Sequence, residues 1–184
     1  MIPDNMRAGP RHAACVALAI FTGVLAHGAA HGASLTHTEV GILARAMGFL
    51  QPPLAGTATV AITYDASNPA SKLDAEAIAG YFGQGLPSGG AILTPKLIEV
   101  RQLLPSGGFA AVIAAAGVRI EQVADAARAL RVACITGDAG SVVSGRCTMA
   151  VKSEPKVEII INRAAAANAN VRFGTAFLMM IRQI

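Results

Sequence analysis

The sequence predicts an α/β fold: a single domain with a small, mainly parallel sheet flanked by helices, then a C-terminal antiparallel hairpin and a closing helix. The first observation is that short apolar or β-branched runs alternate with segments of helical periodicity, the pattern of parallel strands joined by right-handed crossovers. The apolar runs that predict strands are 58–64, 96–101, 110–115 and 131–136. The second observation is that two later apolar runs, 147–152 and 156–162, are joined by only three residues. So short a connection favours an antiparallel pair.

The helices are predicted from apolar spacing and capping residues. In the first, over 36–50, Thr36 or Thr38 can be the N-cap, Glu39 lies in the first turn, and Pro52 follows the end. The second and third helices are predicted over 70–82, with Leu73, Ala77, Ile78 and Tyr81 or Phe82 as its apolar face, and over 120–130, with Val123, Ala127 and Leu130. The closing helix is predicted over 173–181. Loops are expected over 87–90, 105–109 and 137–146.

The first 30 residues have the pattern of a cleavable export signal. Arg7 and Arg11 precede an apolar run, and the small residues that follow offer cleavage sites, of which Ala30 is preferred. An apolar run of about 14 residues is too short to span a bilayer comfortably, so removal is expected rather than anchoring. We therefore predict a signal peptide at 1–30 and one domain at 31–184, soluble in the periplasm, of a size that buries a single core.

Composition excludes several function classes. The chain has 15 Lys and Arg residues against 11 Asp and Glu, with no Trp and two Tyr, and its basic residues are scattered, so nucleic-acid binding is not expected. Of the four histidines only His37, and His31 if the cut lies at Ala30, remain after export. A His-dependent triad or a metal site is therefore not expected. No serine has a Gly-x-Ser-x-Gly setting and no carboxylates are paired for acid–base work. We expect no enzyme and no cofactor.

Two cysteines, Cys134 and Cys147, remain once the signal that carries Cys15 is removed. In an exported protein an even pair with 12 residues between them favours a disulfide that closes the loop 137–146. The alternative is two buried free thiols in neighbouring strands. A thioredoxin-like redox pair is not expected, because the Cys-x-x-Cys spacing is missing.

Polar and glycine residues follow three of the predicted parallel strands. Open α/β sheets present their ligand sites in the loops beyond the carboxyl ends of such strands. The candidate ligand-binding residues are Asp65, Ser67 and Asn68 after the first strand, and Gly137, Asp138 and Ser141 after the fourth, with Gly117 at the same edge. The same residue types also form ordinary turns. Both interpretations stay open at this point.

The closing segment carries a family resemblance. The segments concerned are ARAMGFLQPP at 44–53, VAITYD at 60–65 and VEIIINRAAAANANVRFGTAFLMMI at 157–181. Their order resembles the YfiR-like family of small periplasmic regulatory proteins. The positions that match the family pattern are Asn162, Ala165, Val171, Phe173 and Leu178; Leu50-Gln51 stands where the family commonly has a tryptophan.

The resemblance implies a regulatory role. It implies a periplasmic protein that restrains a membrane-bound signalling enzyme, such as a diguanylate cyclase, by binding the periplasmic portion of that enzyme. It also implies a homodimer and stabilisation by disulfides. For Asn162 a physical role is available, the capping of the helix after the last strand. The α/β core is also similar to one lobe of solute-binding proteins. A periplasmic protein that binds a small molecule is therefore the alternative.

Overall fold

The computed structural model describes residues 33–103 and 107–184. The predicted signal peptide, its cut at Ala30, and His31 lie outside these residues. The helices are α1 (His37–Met47), α2 (Pro69–Tyr81), α3 (Ile120–Leu130), α4 (Ala139–Val143), α5 (Arg163–Asn168) and α6 (Thr175–Leu178), with a 3₁₀ turn at Val100–Gln102. The strands are β1 (Leu50–Gln51), β2 (Ala55–Tyr64), β3 (Leu86–Ser88), β4 (Gly90–Glu99), β5 (Ala111–Ala114), β6 (Ala133–Thr136), β7 (Met149–Lys152), β8 (Glu158–Ile161), β9 (Arg172–Phe173) and β10 (Arg182–Gln183). In this part of the chain no helix has the length and apolarity needed to cross a membrane.

The main sheet has the order β10-β8-β7-β6-β5-β2-β4-β3. Its centre, β4-β2-β5-β6-β7, is parallel, whereas β8 runs antiparallel to β7 and β3 antiparallel to β4. Numbered along the chain, the parallel strands follow the doubly wound order 2-1-3-4-5, in which the chain changes direction across the sheet between β2 and β5. The predicted α/β class, mainly parallel sheet and C-terminal hairpin are confirmed.

The central strands are buried on both faces. Val60 and Ile62 of β2 belong to the core beneath α1 and α2, whereas Ala61 belongs to the core on the side of α3. In β5, Ile113 and Val112 divide between the same two layers. Successive side chains of a strand point to opposite faces, so one apolar run supplies both cores. The result is a three-layer domain whose loops are collected at the two edges of the sheet.

Helix α1 begins at a capping box. The Glu39 N–H donates to Thr36 Oγ1 at 3.3 Å, and the Thr36 N–H donates to Glu39 Oε2 at 2.9 Å. Of the two predicted caps, Thr36 is therefore the one used. The helix ends at Met47, earlier than predicted, and the following Gly48 packs so closely against the β3–β4 turn that a Cβ there would be 2.8 Å from the Gly89 nitrogen. The chain then forms β1, which pairs with β9.

Helix α2 buries only part of the predicted face, in which Ile78 and Phe82 are buried as predicted. Leu73 is 67% exposed and Ala77 is exposed, so their assignment to the apolar face was wrong. The buried face consists of Ser71, Ala75, Ile78 and Phe82. The physical reason is that the Ser71 hydroxyl accepts a hydrogen bond from the buried Asp65 N–H at 3.2 Å. A satisfied polar group can be buried, and small residues let the helix approach the sheet closely.

Two predicted boundaries on the β2 side of the sheet were wrong. The expected loop 87–90 contains β3 and the start of β4, and the expected strand 96–101 is the second half of the longer β4 followed by the 3₁₀ turn. The hairpin turns at Gly89, whose φ of +58° suits glycine. Pro87 lies in the edge strand, the usual place for proline in a sheet.

Two further corrections concern the C-terminal part. The expected loop 137–146 contains α4, and the expected closing helix 173–181 is reduced to α6 between the short strands β9 and β10. After α6 the chain returns to the sheet, where Arg182 and Gln183 pair with Ile160 and Ile161. Residues 179–181 thus form a turn that leads into β10, where the last turn of a helix was predicted.

Candidate functional site

The predicted ligand-binding residues lie at the carboxyl edge of the parallel sheet. Asp65, Ser67 and Asn68 follow β2, and Gly137, Asp138 and Ser141 follow β6. Gly117 lies between them, in the loop after β5. The structure therefore brings three loops from distant parts of the sequence to one edge, beside the point where the strand order reverses. In doubly wound sheets this crevice is the usual ligand position.

The Asp65 carboxylate closes its own loop. Its Oδ1 accepts hydrogen bonds from the Ser67 N–H at 2.9 Å and the Ser67 hydroxyl at 2.5 Å, and Arg119 Nε lies 3.5 Å from Oδ2. The Ser67 hydroxyl first, then its N–H and the Arg119 charge, hold the pKa of Asp65 below its usual value, although burial opposes them. Asp65 is ionised and fully engaged, so its role at neutral pH is to hold the loop.

Further contacts tie the loop after β2 and helix α2 to the loop after β5. Asn68 Nδ2 donates to the Gly117 carbonyl at 3.1 Å. Asp74, on α2, accepts from the Ala116 N–H at 2.7 Å and from the Ser34 hydroxyl. Gly117 has a φ of +75°, and a Cβ there would lie 2.5 Å from the Asn68 amide nitrogen. Asn68 and Gly117 are thus in direct contact, although neither residue's position in the sequence indicates this contact.

Asp138 is the N-cap of α4. Its carboxylate accepts from the Gly140 N–H at 2.9 Å, the Ser141 N–H at 3.1 Å and the Ser141 hydroxyl at 2.6 Å. The Ser141 hydroxyl lowers the pKa of Asp138 most; burial opposes it, and the two N–H groups and the Lys152 charge add to the lowering. The polar pattern that predicted a ligand loop is therefore also a capping pattern.

A cavity of about 160 Å³ lies between the loops after β5 and β6. Of the predicted residues, Gly117, Asp138 and Ser141 line it, together with Thr136, Arg146 and the apolar residues Ala33, Ala114, Ala115, Val118 and Ile120. The other predicted residues do not line the cavity but hold the neighbouring loops in place; they are Asp65, Ser67 and Asn68. Gly137 lies under the N-terminal segment, since a Cβ there would be 2.3 Å from the Ala33 carbonyl oxygen. The cavity is smaller than the roughly 300–1,000 Å³ of sites for drug-sized ligands, so it suits only a small molecule.

Two arginines of this edge were missed in the sequence. Arg119 pairs with Asp65, and Arg146 lines the cavity and lies 3.2 Å from Glu121 Oε1. Both follow glycine-containing loops beyond strand ends, which is the signal that could have identified them. Among the described residues, no group of three His, Cys, Asp or Glu side chains could hold a metal ion.

Cys134 and Cys147 form a disulfide beside this edge, with Cα atoms 4.8 Å apart. The predicted pairing is therefore seen in the structure. Both residues are buried, in the core on the side of α3. The bond closes the segment that carries Asp138, Ser141 and Arg146, so it restrains one wall of the cavity.

A second feature is an apolar groove of about 340 Å³ between α1, the start of β8 and the C-terminal segment. Its walls are Ile42, Ala46, Phe49, Val157, Ile159, Phe177, Met180 and Ile181, with Arg45 as its charged residue. Phe49 stacks on Phe177 with ring centroids 4.7 Å apart. We call these residues the α1–β8 groove.

Comparisons with protein-family models and with curated protein sequences find no match to this chain.

Replacing Asp138 is expected to destabilise the domain. Asp138→Ala removes the N-cap of α4, a loss of about 1 kcal/mol, measured by urea unfolding at pH 7. Because folding lowers the pKa of Asp138 from its ordinary value of 3.8, the ionised side chain stabilises the fold above that pH. This contribution is lost as the pH falls through the lower, folded value. The gap between wild type and Asp138→Asn should therefore shrink below about pH 4.

Asp125→Ala is the matched control, because Asp125 is exposed and pairs only with Arg128 on the surface of α3. It should change the free energy of unfolding by less than about 0.5 kcal/mol. A loss equal to that of Asp138→Ala would contradict the capping role.

Proposed function

We propose that this chain is a periplasmic regulatory protein that restrains a membrane-bound signalling enzyme, such as a diguanylate cyclase, by binding the periplasmic portion of that enzyme. The observation that carries the proposal is the α1–β8 groove, where Phe49, Val157 and Met180 are 42%, 61% and 70% exposed. Large apolar side chains gathered on one surface are typical of interaction sites. The predicted export signal, the disulfide and the resemblance to the YfiR-like family support the periplasmic setting.

The groove also limits the chemistry of the partner. Phe49 is held by its stacking on Phe177, so it offers a rigid aromatic anchor, whereas Met180 is flexible and adapts to its contact. Arg45 is exposed, and no carboxylate of the described residues pairs with it. A complementary segment would carry apolar side chains for the groove and an acidic residue for Arg45. We therefore commit to an apolar, acidic-ended segment of the signalling enzyme as the occupant.

Charged substitutions in the groove test the proposal. Val157→Glu combined with Met180→Glu places two carboxylates in the contact, and both residues are exposed enough for the fold to tolerate the change. Affinity for the purified periplasmic portion of the host's membrane-anchored diguanylate cyclase should fall about 30-fold or more. The same variant should fail to lower cyclic di-GMP in cells from which the wild-type gene has been deleted.

Leu73→Glu is the matched control, because Leu73 is a 67% exposed apolar residue on α2, outside the groove. It should bind the enzyme and lower cyclic di-GMP as wild type does. If the gene deletion leaves cyclic di-GMP unchanged and the purified proteins do not bind each other, the proposal fails.

The second candidate function is a periplasmic protein that binds a small solute, and the cavity at the carboxyl edge favours it. Thr136 supplies a hydroxyl donor and Arg146 a guanidinium donor there, whereas the Ser141 hydroxyl, which donates to Asp138, offers a ligand only an acceptor. The same experiment separates the two functions. A solute-binding protein would keep its activity in the groove variants and lose it when Ser141 or Arg146 is replaced.

A further inference from the structure

Two cavities adjoin at the opposite, amino edge of the parallel sheet. Each has a volume of about 270 Å³, and Gln51, Val171 and Arg172 line both. Gln51 and Arg172 are a register pair of the β1–β9 ribbon, so this ribbon runs between the cavities. One cavity extends to the starts of β5 and β6, and the other to α5 and α6. We call the two together the amino-edge crevice.

The charges that line the crevice have one sign. Arg131 lies in one cavity, Arg163 in the other and Arg172 in both, whereas none of the described residues lining either cavity is Asp or Glu. Five other arginines of the described chain pair with a carboxylate; they are Arg101, Arg119, Arg128, Arg146 and Arg182. The three crevice arginines have no such partner within 4.0 Å in the same part of the chain. The side chains that line the crevice thus carry positive charge only.

Arg131 occupies a helix-end position where glycine is the usual residue. It ends α3 with a left-handed backbone, φ 57°, the conformation that favours glycine at helix ends. An arginine there places a guanidinium at the mouth of the crevice at some conformational cost. The Arg131 guanidinium thus adds to the positive charge of the crevice.

The walls of the crevice are apolar. Leu54, Phe109 and Val132 line the cavity toward β5, and Val171, Phe173 and Leu178 line the cavity toward α5. The amides of Gln51, Asn170 and Gln183 supply neutral donors and acceptors beside them. Apolar walls with a few polar groups at fixed places are typical of small-molecule sites.

We propose that the amino-edge crevice binds a small organic anion, with one carboxylate or phosphate head and an apolar body. A guanidinium matches the planar carboxylate and the phosphate through paired hydrogen bonds, so the unpaired arginines would hold the head. The phenylalanine, leucine and valine side chains would cover the body. This site shares no lining residue with the carboxyl-edge cavity or the α1–β8 groove, and it does not depend on the function proposed for either.

Calorimetric titration of the purified mature protein tests the proposal with three named probes. Octanoate and phenyl phosphate each carry an anionic head on an apolar body, whereas inorganic phosphate lacks the body. We expect saturable binding of at least one organic probe, about tenfold or more tighter than that of inorganic phosphate. Binding of octanoate alone assigns a carboxylate ligand, and binding of phenyl phosphate alone a phosphomonoester; both results support the site.

Three variants locate the binding. Arg163→Gln combined with Arg172→Gln should lower the affinity for the probe about tenfold or more. Both side chains are exposed, so the fold should persist. Ala167→Phe narrows the cavity at an exposed lining position and should also weaken binding while keeping every arginine. Arg128→Gln, which removes one exposed charge from α3, should leave the affinity within about twofold.

The proposal is overturned if neither organic probe binds the wild type saturably, or if inorganic phosphate binds as tightly as they do. Unchanged affinity in the arginine double variant or in Ala167→Phe would equally overturn it, because the anion would then bind elsewhere. Circular dichroism of each variant checks that the fold is retained.

Discussion

Cys134→Ala combined with Cys147→Ala is expected to lower the free energy of unfolding by at least about 3 kcal/mol, the contribution of the cross-link alone. The disulfide joins residues 13 positions apart in the sequence, so it removes conformational freedom that the unfolded chain would otherwise have. Both cysteines are also buried, at 2% and 0% exposure, and the alanines leave unfilled space in the core beside α3. For a domain of this size the loss should lower Tm by about 10 °C.

Urea unfolding of three samples separates the two contributions: the oxidised wild type, the wild type with reductant, and the double variant. The reduced wild type keeps both sulfur atoms, so its loss reports the cross-link alone, and any further loss in the variant reports packing. The oxidised mature protein should show no free thiol after unfolding without reductant. Two titratable thiols, or equal stability of all three samples, would contradict the bond.

The parts of the fold predicted from sequence are those with a long local pattern. The helix over 120–130 has its predicted bounds, because Val123 and Ala127 recur on one face with charged residues on the other. Strands β2, β5 and β6 were found because each is an apolar run buried on both sides. The antiparallel β7–β8 hairpin followed from the shortness of its connection. In each case the information lies within about a dozen neighbouring residues.

The parts that were missed are short elements formed by distant partners. β1 has two residues and exists because Leu50 pairs with Phe173, and β10 exists because Arg182 pairs with Ile160. No periodicity can develop over two residues. Leu73 shows a related limit: an apolar residue at helical spacing was assigned to the core, but hydrogen bonding to Ser71 sets which face of α2 is buried. Tertiary contacts decide where local patterns are weak.

The sequence predicted which loops form the candidate site, but it did not predict the side-chain contacts between them. Parallel strands end at one edge, so finding β2, β5 and β6 was enough to group Asp65, Gly117 and Asp138 there. The contact between Asn68 and Gly117 joins residues 49 positions apart. Such pairs leave no local signal in a single sequence. The amino-edge crevice was missed for the same reason, since its three arginines are scattered along the chain and come to one edge of the sheet only in the fold.

Replacing Glu39 is expected to have the second largest effect. Glu39 is only 6% exposed, and its carboxylate joins two elements that are far apart in sequence. Oε2 accepts from the Thr36 N–H at 2.9 Å, and Oε1 accepts from the Ser153 N–H at 2.9 Å and the Ser153 hydroxyl at 3.3 Å. The carboxylate thus caps α1 and fastens it to the turn of the β7–β8 hairpin. Glu39→Ala should cost about 2 kcal/mol, because two N–H groups lose a charged acceptor.

The pH dependence distinguishes this role from simple packing. Burial alone raises the pKa of Glu39, but the hydrogen bonds from Thr36 and Ser153 outweigh it and bring the pKa below 4.5. The ionised carboxylate therefore stabilises the fold above that pH, and the contribution disappears as the pH falls through the folded value. Urea unfolding should show a gap between wild type and Glu39→Gln at pH 7 that narrows below about pH 4.5. Glu154→Ala, at an exposed glutamate beside Ser153, is the control and should change little. If the Glu39→Gln gap stays constant down to pH 3, charge is not what joins α1 to the hairpin.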